Sequence, residues 1–262
     1  MLSPGWTDTR QEVYELTGQT LQDSDSLVAL FPSSQVKDRG DGTSQLLTVP
    51  YGERYHLCPS ERFWEQPSGS YCSGVLVSQD VIATAGHCIV GEPMTAFAYV
   101  FGYRMQDATT PELIIDNRGI YQGVAVLAWQ LDDKGADWAL IRLDRPVSNH
   151  RIAQIRQAGT LRNGQAVHAI GYPLGLPAKV APGTVQSNTA RAFFRSDIPS
   201  YPGNSGSPVF HSTRHTLEGL LTRGRGGEPV KQGACNVARA TGSVATRVAA
   251  FAHVLSTLRS NP

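Results

Sequence analysis

The feature that most constrains this chain is a succession of short apolar runs, each cut off by glycine, proline, aspartate or asparagine. Between Ser26 and Arg142 they fall at 27–31, 46–49, 74–77, 81–84, 96–101, 124–129 and 139–143. Most are rich in Val, Ile, Leu or aromatic residues, which is the pattern of strands and turns. A stretch at 145–157 reads as a crossover. A second group follows at 166–171, 190–194, 207–210 and 217–222. Short strands at this spacing predict barrels or sandwiches rather than alternating strand and helix units. The ends differ from the middle. Residues 1–24 are polar and read as an extended arm. Val244, Val248, Phe251, Leu255 and Leu258 recur at steps of four and three, the stripe of an amphipathic helix docked on the last barrel.

Composition narrows the function. Apolar residues make up 40% of the 262, enough for a sizeable core. Twenty-three Lys and Arg against 22 Asp and Glu leave a net charge of +1, which gives no general electrostatic case for nucleic acid or an anionic membrane. No run approaches the roughly 20 apolar residues of a membrane-spanning helix. Residues 1–10 lack the basic start and apolar stretch of a signal peptide. The chain therefore either stays inside the cell or lost its leader ahead of Met1. Four cysteines, Cys58, Cys72, Cys88 and Cys235, are compatible with two disulfides in an oxidising compartment. His56 and Cys58 find no second pair at zinc-site spacing, so no metal site is expected. His168 reads as a core or edge residue of its strand.

Three blocks carry chemistry. In Gly203-Asn204-Ser205-Gly206-Ser207-Pro208, glycines flank a serine, as a tight turn with an exposed nucleophilic hydroxyl requires. The backbone N–H groups of Gly203 and Ser205 would hold the oxyanion of a tetrahedral intermediate. Thr84-Ala85-Gly86-His87-Cys88 ends an apolar run with a histidine, the side chain best suited to take a proton near neutral pH. Asp137 directly precedes the strongly apolar Trp138-Ala139-Leu140-Ile141, where a carboxylate can be buried and still orient an imidazole. Asp132 and Asp133 lie nearby but precede no such run. The order is His, Asp, Ser, with spacings of 137 − 87 = 50 and 205 − 137 = 68 residues. That order sets the chain apart from subtilisin-like enzymes and from hydrolases with a nucleophile elbow.

TAGHC, DWALIRL and GNSGSPVF resemble the His, Asp and Ser blocks of chymotrypsin-like serine peptidases. The likeness is to the bacterial glutamyl endopeptidase branch in particular, on GNSGSP, on the Gly171-Tyr172-Pro173 turn and, more weakly, on Asp8 to Val13. The resemblance implies an all-β fold of two antiparallel six-stranded barrels packed around a catalytic cleft, with a C-terminal helix. It divides the chain into an arm over 1–24, a first barrel over 25–150 with His87 and Asp137, and a second over 151–262 with Ser205. It implies a triad of His87, Asp137 and Ser205, an oxyanion hole at Gly203 and Ser205, and a disulfide between Cys72 and Cys88. Cys58 and Cys235 are then the pair left over. Thr222 falls where relatives carry a hydroxyl near the buried aspartate.

Substrate choice is less constrained. A preference for Lys or Arg needs a carboxylate at the pocket floor, which by offset falls at Pro199. Ser200 beside it matches a hydroxyl position of glutamyl endopeptidases, but Leu221 stands where they carry a histidine. Arg223 and Arg225, on either side of Gly224, are either a solvated loop or a cationic rim of the cleft. The pocket expected is therefore Ser200, Leu221, Thr222, Arg223, Gly224 and Arg225, closed to Lys and Arg and open to acidic or small apolar side chains. The expected activity is peptide hydrolysis with no cofactor, by an exported monomer acting on protein or peptide substrates. A cytoplasmic location stays open, as do a dedicated regulatory protease and an inactive protease-like binding module.

Overall fold

The computed structural model describes residues 8–224 and 227–260, the side chains of 258–260 excepted. Two closed antiparallel barrels form most of it. The first uses strands β1 (Leu27–Pro32), β2 (Cys72–Ser78), β3 (Val81–Thr84), β4 (Phe97–Val100), β5 (Ile120–Leu131) and β6 (Asp137–Leu143). Their order is β5-β6-β3-β2-β1-β4, and β4 pairs back onto β5. The second uses β7 (Ala166–Gly171), β8 (Lys179–Ser187), β9 (Phe193–Ser200), β10 (Pro208–His211), β11 (Leu217–Gly224) and β12 (Thr241–Arg247). Their order is β8-β7-β10-β11-β12-β9, closed by pairing of β8 with β9. Strands β8 and β12 have no counterpart among the apolar runs of the sequence. Pro182 and Gly183 interrupt the first, and the second buries the polar Thr241, Ser243 and Thr246.

The unbroken apolar runs of the first barrel have a physical reason. Successive side chains of a strand point to opposite faces. Along β1, Val28 and Leu30 fill the first barrel's interior, while Leu27, Ala29 and Phe31 join a cluster shared with the second barrel. Along β6, Ala139 and Ile141 face inward, and Trp138 and Leu140 face that shared cluster. Both faces are dry, so neither tolerates polar alternation. The interface is closed from the far end of the chain by Phe251, whose ring centroid lies 5.7 Å from that of Trp138. Truncating an aromatic side chain buried this completely costs about 3–5 kcal/mol.

The C-terminal stripe divides among three elements rather than forming one helix. Val244 lies on β12, held in register between β9 and β11, and Val248 sits in a 3-10 turn. Helix α2 spans Ala252–Ser260, and Phe251 and Leu255 are the buried anchors of its start. The side chain of Leu258 lies outside the described residues. Cross-strand pairing overrides helical periodicity at Val244, a β-branched residue with partners on both sides.

The N-terminal segment also departs from an extended arm. It contains a two-residue strand, Gln11–Glu12, a 3-10 turn and helix α1 (Gly18–Ser24). The strand adds to the edge of β8, with Glu12 opposite Lys179. Glu12 Oε2 accepts from Lys179 Nζ at 3.0 Å, and both side chains are at most 4% exposed. Lys179 Nζ also donates to Gln66 Oε1 and the Pro177 carbonyl, and Gln66 Nε2 donates to Glu12 Oε1. Burial outweighs the attraction of Glu12 and pushes Lys179 down to about 8. Two disulfides, Cys72–Cys88 and Cys58–Cys235, complete the frame. The second joins residues 177 apart in sequence and ties the first half to the hairpin of Val230–Gln232 and Cys235–Val237.

Lys179→Met should destabilise the protein by about 3–5 kcal/mol, because it strands the Glu12 carboxylate in a dry site. Glu12→Gln combined with Lys179→Met should restore much of that loss. A lysine depressed to about 8 adds stability only above its ordinary value and loses it as pH falls through 8. Relative to the double variant, the wild type should therefore gain stability between pH 8 and about 10.5. Urea unfolding of the three proteins across that range measures both effects.

Candidate active site

Asp137 opens β6, the strand buried on both faces, and is itself 1% exposed. A carboxylate there needs hydrogen-bond donors. One oxygen, Oδ1, accepts the backbone N–H of His87 at 3.1 Å. The other, Oδ2, lies 2.7 Å from His87 Nδ1. His87 sits in a 3-10 turn, Gly86–Cys88, directly after β3, and β3 pairs with β6. A Cβ on Gly86 would stand 3.2 Å from Asp137 Oδ1, so the glycine leaves room for the carboxylate. The ionised carboxylate can only accept, which fixes the proton on Nδ1 and leaves Nε2 as an acceptor. His87 Nε2 lies 2.8 Å from Ser205 Oγ. Asp137, His87 and Ser205 thus form one continuous relay.

The turn carrying Ser205 follows β9 and is braced from the first barrel. Ser73 on β2 donates its N–H to the Ser205 carbonyl at 2.8 Å and its hydroxyl to the Gly203 carbonyl at 2.9 Å. The same hydroxyl accepts the Tyr172 N–H at 3.1 Å. Gly203 has φ +87°, and a Cβ there would lie 2.5 Å from the Tyr172 carbonyl. Gly206 has φ +83°, and a Cβ there would lie 2.0 Å from the Ser73 carbonyl. Both positions require glycine.

The same bonds orient the free N–H groups. In a trans peptide the carbonyl and the next N–H point in opposite directions. The Pro202 carbonyl accepts from Leu174 N–H and the Asn204 carbonyl from Ser207 N–H. The N–H groups of Gly203 and Ser205 are turned the other way, and neither has a backbone acceptor among the described residues. Two N–H donors thus lie on the turn that carries the Ser205 hydroxyl.

Three cavities meet at this relay. One, of about 300 Å³, is lined by Ser200, Tyr201, Pro202, Asn204, Ser205, Leu221, Thr222, Arg223 and Gly224. Another, of about 430 Å³, is bounded by His87, Asp137, Asp132, Asp133, Thr222 and Arg223. The third, of about 290 Å³, lies toward Cys72, Gly175 and Gly203. Ser200, Leu221, Thr222, Arg223 and Gly224 therefore sit beside the serine, and Arg225 lies outside the described residues. No carboxylate among the described residues lines the first cavity. Arg223 is exposed and has no ion-pair partner among the described residues.

One position differs from expectation. Pro199 does not floor this pocket. Neighbours on a strand face opposite ways, so Ser200 faces the pocket while Pro199 lines a small cavity behind the turn with Arg10, Lys179 and Asn204. Thr222 borders the cavity that Asp137 also lines, and its hydroxyl donates to the Val244 carbonyl at 3.4 Å. Thr246 bonds the aspartate directly, accepting its backbone N–H at 3.2 Å. Thr246, Ser73 and Thr241 were not legible as site residues. Thr241 pairs with Ser200, and its buried hydroxyl lacks a hydrogen-bond partner among the described residues.

Comparisons with known proteins bear on the family and the fold. Residues 72–220, more than half the chain, match the family model described as a trypsin-like peptidase domain. The mitochondrial serine protease HTRA2 of Drosophila ananassae is 28% identical over 161 residues, covering 56% of this chain and 33% of that protein. The chain thus spans about a third of that relative's length. Among solved structures, human heparin binding protein superposes with a TM-score of 0.60 at 14% identity, covering 92% of this chain and 94% of that one. A serine endoprotease from Yersinia pestis gives 0.55 at 16% identity, covering 94% and 68%. At these identities the structural likeness is one of fold.

Ser73→Ala should cost about 1–3 kcal/mol, since it strands the Tyr172 N–H and the Gly203 carbonyl in a buried place. Equilibrium unfolding in urea checks this. An unchanged midpoint would mean that water replaces the hydroxyl.

Proposed function

We propose that this chain, which belongs to the trypsin-like peptidase domain family, is a serine endopeptidase that works through an acyl-enzyme. The observation that carries the reading is the unbroken relay from Asp137 through His87 to Ser205. Ser205 Oγ attacks the scissile carbonyl while His87 Nε2 takes its proton. Asp137 holds the imidazole in the tautomer that can do so and stabilises the imidazolium that forms. The Gly203 and Ser205 N–H groups bind the developing oxyanion. His87 then passes its proton to the leaving amine, and water repeats the sequence on the ester. These steps use only protein groups.

The finer reading is a peptidase of the glutamyl endopeptidase kind. The cavity beside Ser205 offers the hydroxyl of Ser200 and Arg223, which has no ion-pair partner among the described residues, and none of the described residues lining it is an acid to hold Lys or Arg. Arginine can hold a carboxylate with two parallel hydrogen bonds. We read the preferred side chain as acidic, with small apolar side chains as the alternative that Leu221 would favour. The two disulfides suit an oxidising compartment, so the reading includes export from the cytoplasm.

A fluorophosphonate probe should label Ser205, and Ser205→Ala should lower turnover by about 10⁴–10⁶-fold. Labelling of another serine with Ser205 untouched would sink the assignment. A peptide library read by mass spectrometry tests the pocket separately. Cuts should follow Glu or Asp, and Arg223→Gln should lower kcat/KM for those peptides by about tenfold or more. Dominant cleavage after Lys or Arg would overturn the pocket reading and leave the relay standing.

A further inference from the structure

Away from the cleft, three side chains remote in sequence converge on one point. Asp23 belongs to helix α1, His168 to β7, and His215 to the turn between β10 and β11. Asp23 Oδ2 lies 3.1 Å from His168 Nε2 and 2.7 Å from His215 Nδ1. The ligand atoms of all three residues lie within 4.8 Å of one another. None of the three lines a cavity that meets Ser205. We propose that Asp23, His168 and His215 form a binding site for a divalent transition-metal ion, best suited to zinc, that fastens helix α1 to the second barrel.

The donor set supports this. Two imidazole nitrogens and one carboxylate oxygen are ligands that zinc takes in four-coordinate sites, with a water in the fourth position. At bond lengths of about 2.0–2.1 Å, neighbouring ligand atoms of a tetrahedral ion stand about 3.3 Å apart. The His168 contact is about 0.2 Å short of that spacing and the His215 contact about 0.6 Å short of it. Occupation therefore needs the cluster to open, chiefly between Asp23 and His215.

The surroundings hold the ligands in place. The His168 ring stacks on Phe210 at 5.6 Å, and its Nδ1 lies 3.3 Å from Ser212 Oγ. His215 has φ +54°, and its N–H donates to the His211 carbonyl at 2.9 Å. This left-handed backbone, uncommon outside glycine, directs the ring at Asp23. Asp23 and His168 are 8% and 5% exposed and His215 is 21% exposed, so the point is dry on the barrel side and open to an entering ion on the other. The neighbouring Asp25 is already engaged by His150 and by the Arg151 N–H.

The protons balance without an added reactant. Without metal, the carboxylate draws protons onto His168 Nε2 and His215 Nδ1, and the Ser212 hydroxyl donates to His168 Nδ1. On binding, each neutral ring passes to its other tautomer. The proton of His168 then sits on Nδ1 and donates to Ser212 Oγ, the kind of outer contact that orients a metal-bound histidine. The sequence suggested no such site because its members are 145 and 192 residues apart from Asp23, with no short spacing for a motif to capture.

The test uses full-length Ser205→Ala protein, which cannot digest itself, freed of metal by chelation. Zinc at 100 μM should raise Tm by about 5–10 °C, and EDTA should reverse the shift. His215→Asn and Asp23→Asn, introduced in the same background, should abolish the shift. Cobalt soaked into crystals of the parent protein should give an anomalous peak within bonding distance of the three ligand atoms, a readout that needs no further variant. No shift at 1 mM zinc, a shift that survives in folded His215→Asn, or cobalt peaks only elsewhere would overturn the proposal and leave a hydrogen-bonded clip.

Discussion

The Asp137 carboxylate is the contact on which the site depends. It lies at the first residue of a strand buried on both faces, where an unpaired charge would be prohibitive. It is compensated by two donors from one residue, the backbone N–H and the ring N–H of His87. The two bonds fix the imidazole in position and in tautomer together. Because β6 pairs with both β3 and β5, the whole first barrel determines where that histidine stands. The Ser205 hydroxyl then needs only to be delivered to Nε2.

That delivery is a property of the interface between the barrels. Ser73, on the first barrel, holds the Ser205 carbonyl and the Gly203 carbonyl of the second. Thr246, on the second, accepts the backbone N–H of Asp137 on the first. Trp138 and Phe251 fill the apolar space between. Hydrogen bonds in a dry interface leave little freedom, since a slip would strand buried polar groups. The relay distances of 2.7 and 2.8 Å are therefore maintained by contacts outside the relay itself.

The N-terminal segment adds a second set of constraints. The Arg10 guanidinium pairs with both oxygens of Asp8 and covers the Tyr201 ring at 4.3 Å. Lys179 and Glu12 close a buried pair beside it. Both cations border the cavity that reaches Asn204, directly before the nucleophile. Asn204 is neutral, with its Oδ1 accepting from the Ser207 hydroxyl. Charge in this region is thus balanced among side chains.

Some of this was written in the sequence and some was not. Local chemistry was legible because it needs only neighbours. Glycines at 203 and 206 announced a tight turn, a histidine after an apolar run announced a strand end, and apolar runs cut by turn residues announced short strands. The order His, Asp, Ser and the resemblance carried by the TAGHC, DWALIRL and GNSGSPVF blocks were enough to expect two barrels. Other features require partners far away in the chain. The helical spacing at Val244 yielded to β12, because pairing with two strands outweighs a local period. Pro199 turned away from the pocket that Ser200 lines, because only the strand's facing decides which of two neighbours meets it. The Thr222 hydroxyl found Val244, and Thr246 found Asp137, by register alone. Ser73 and the cluster of Asp23, His168 and His215 are set by barrel closure, which brings together residues that no short motif could connect.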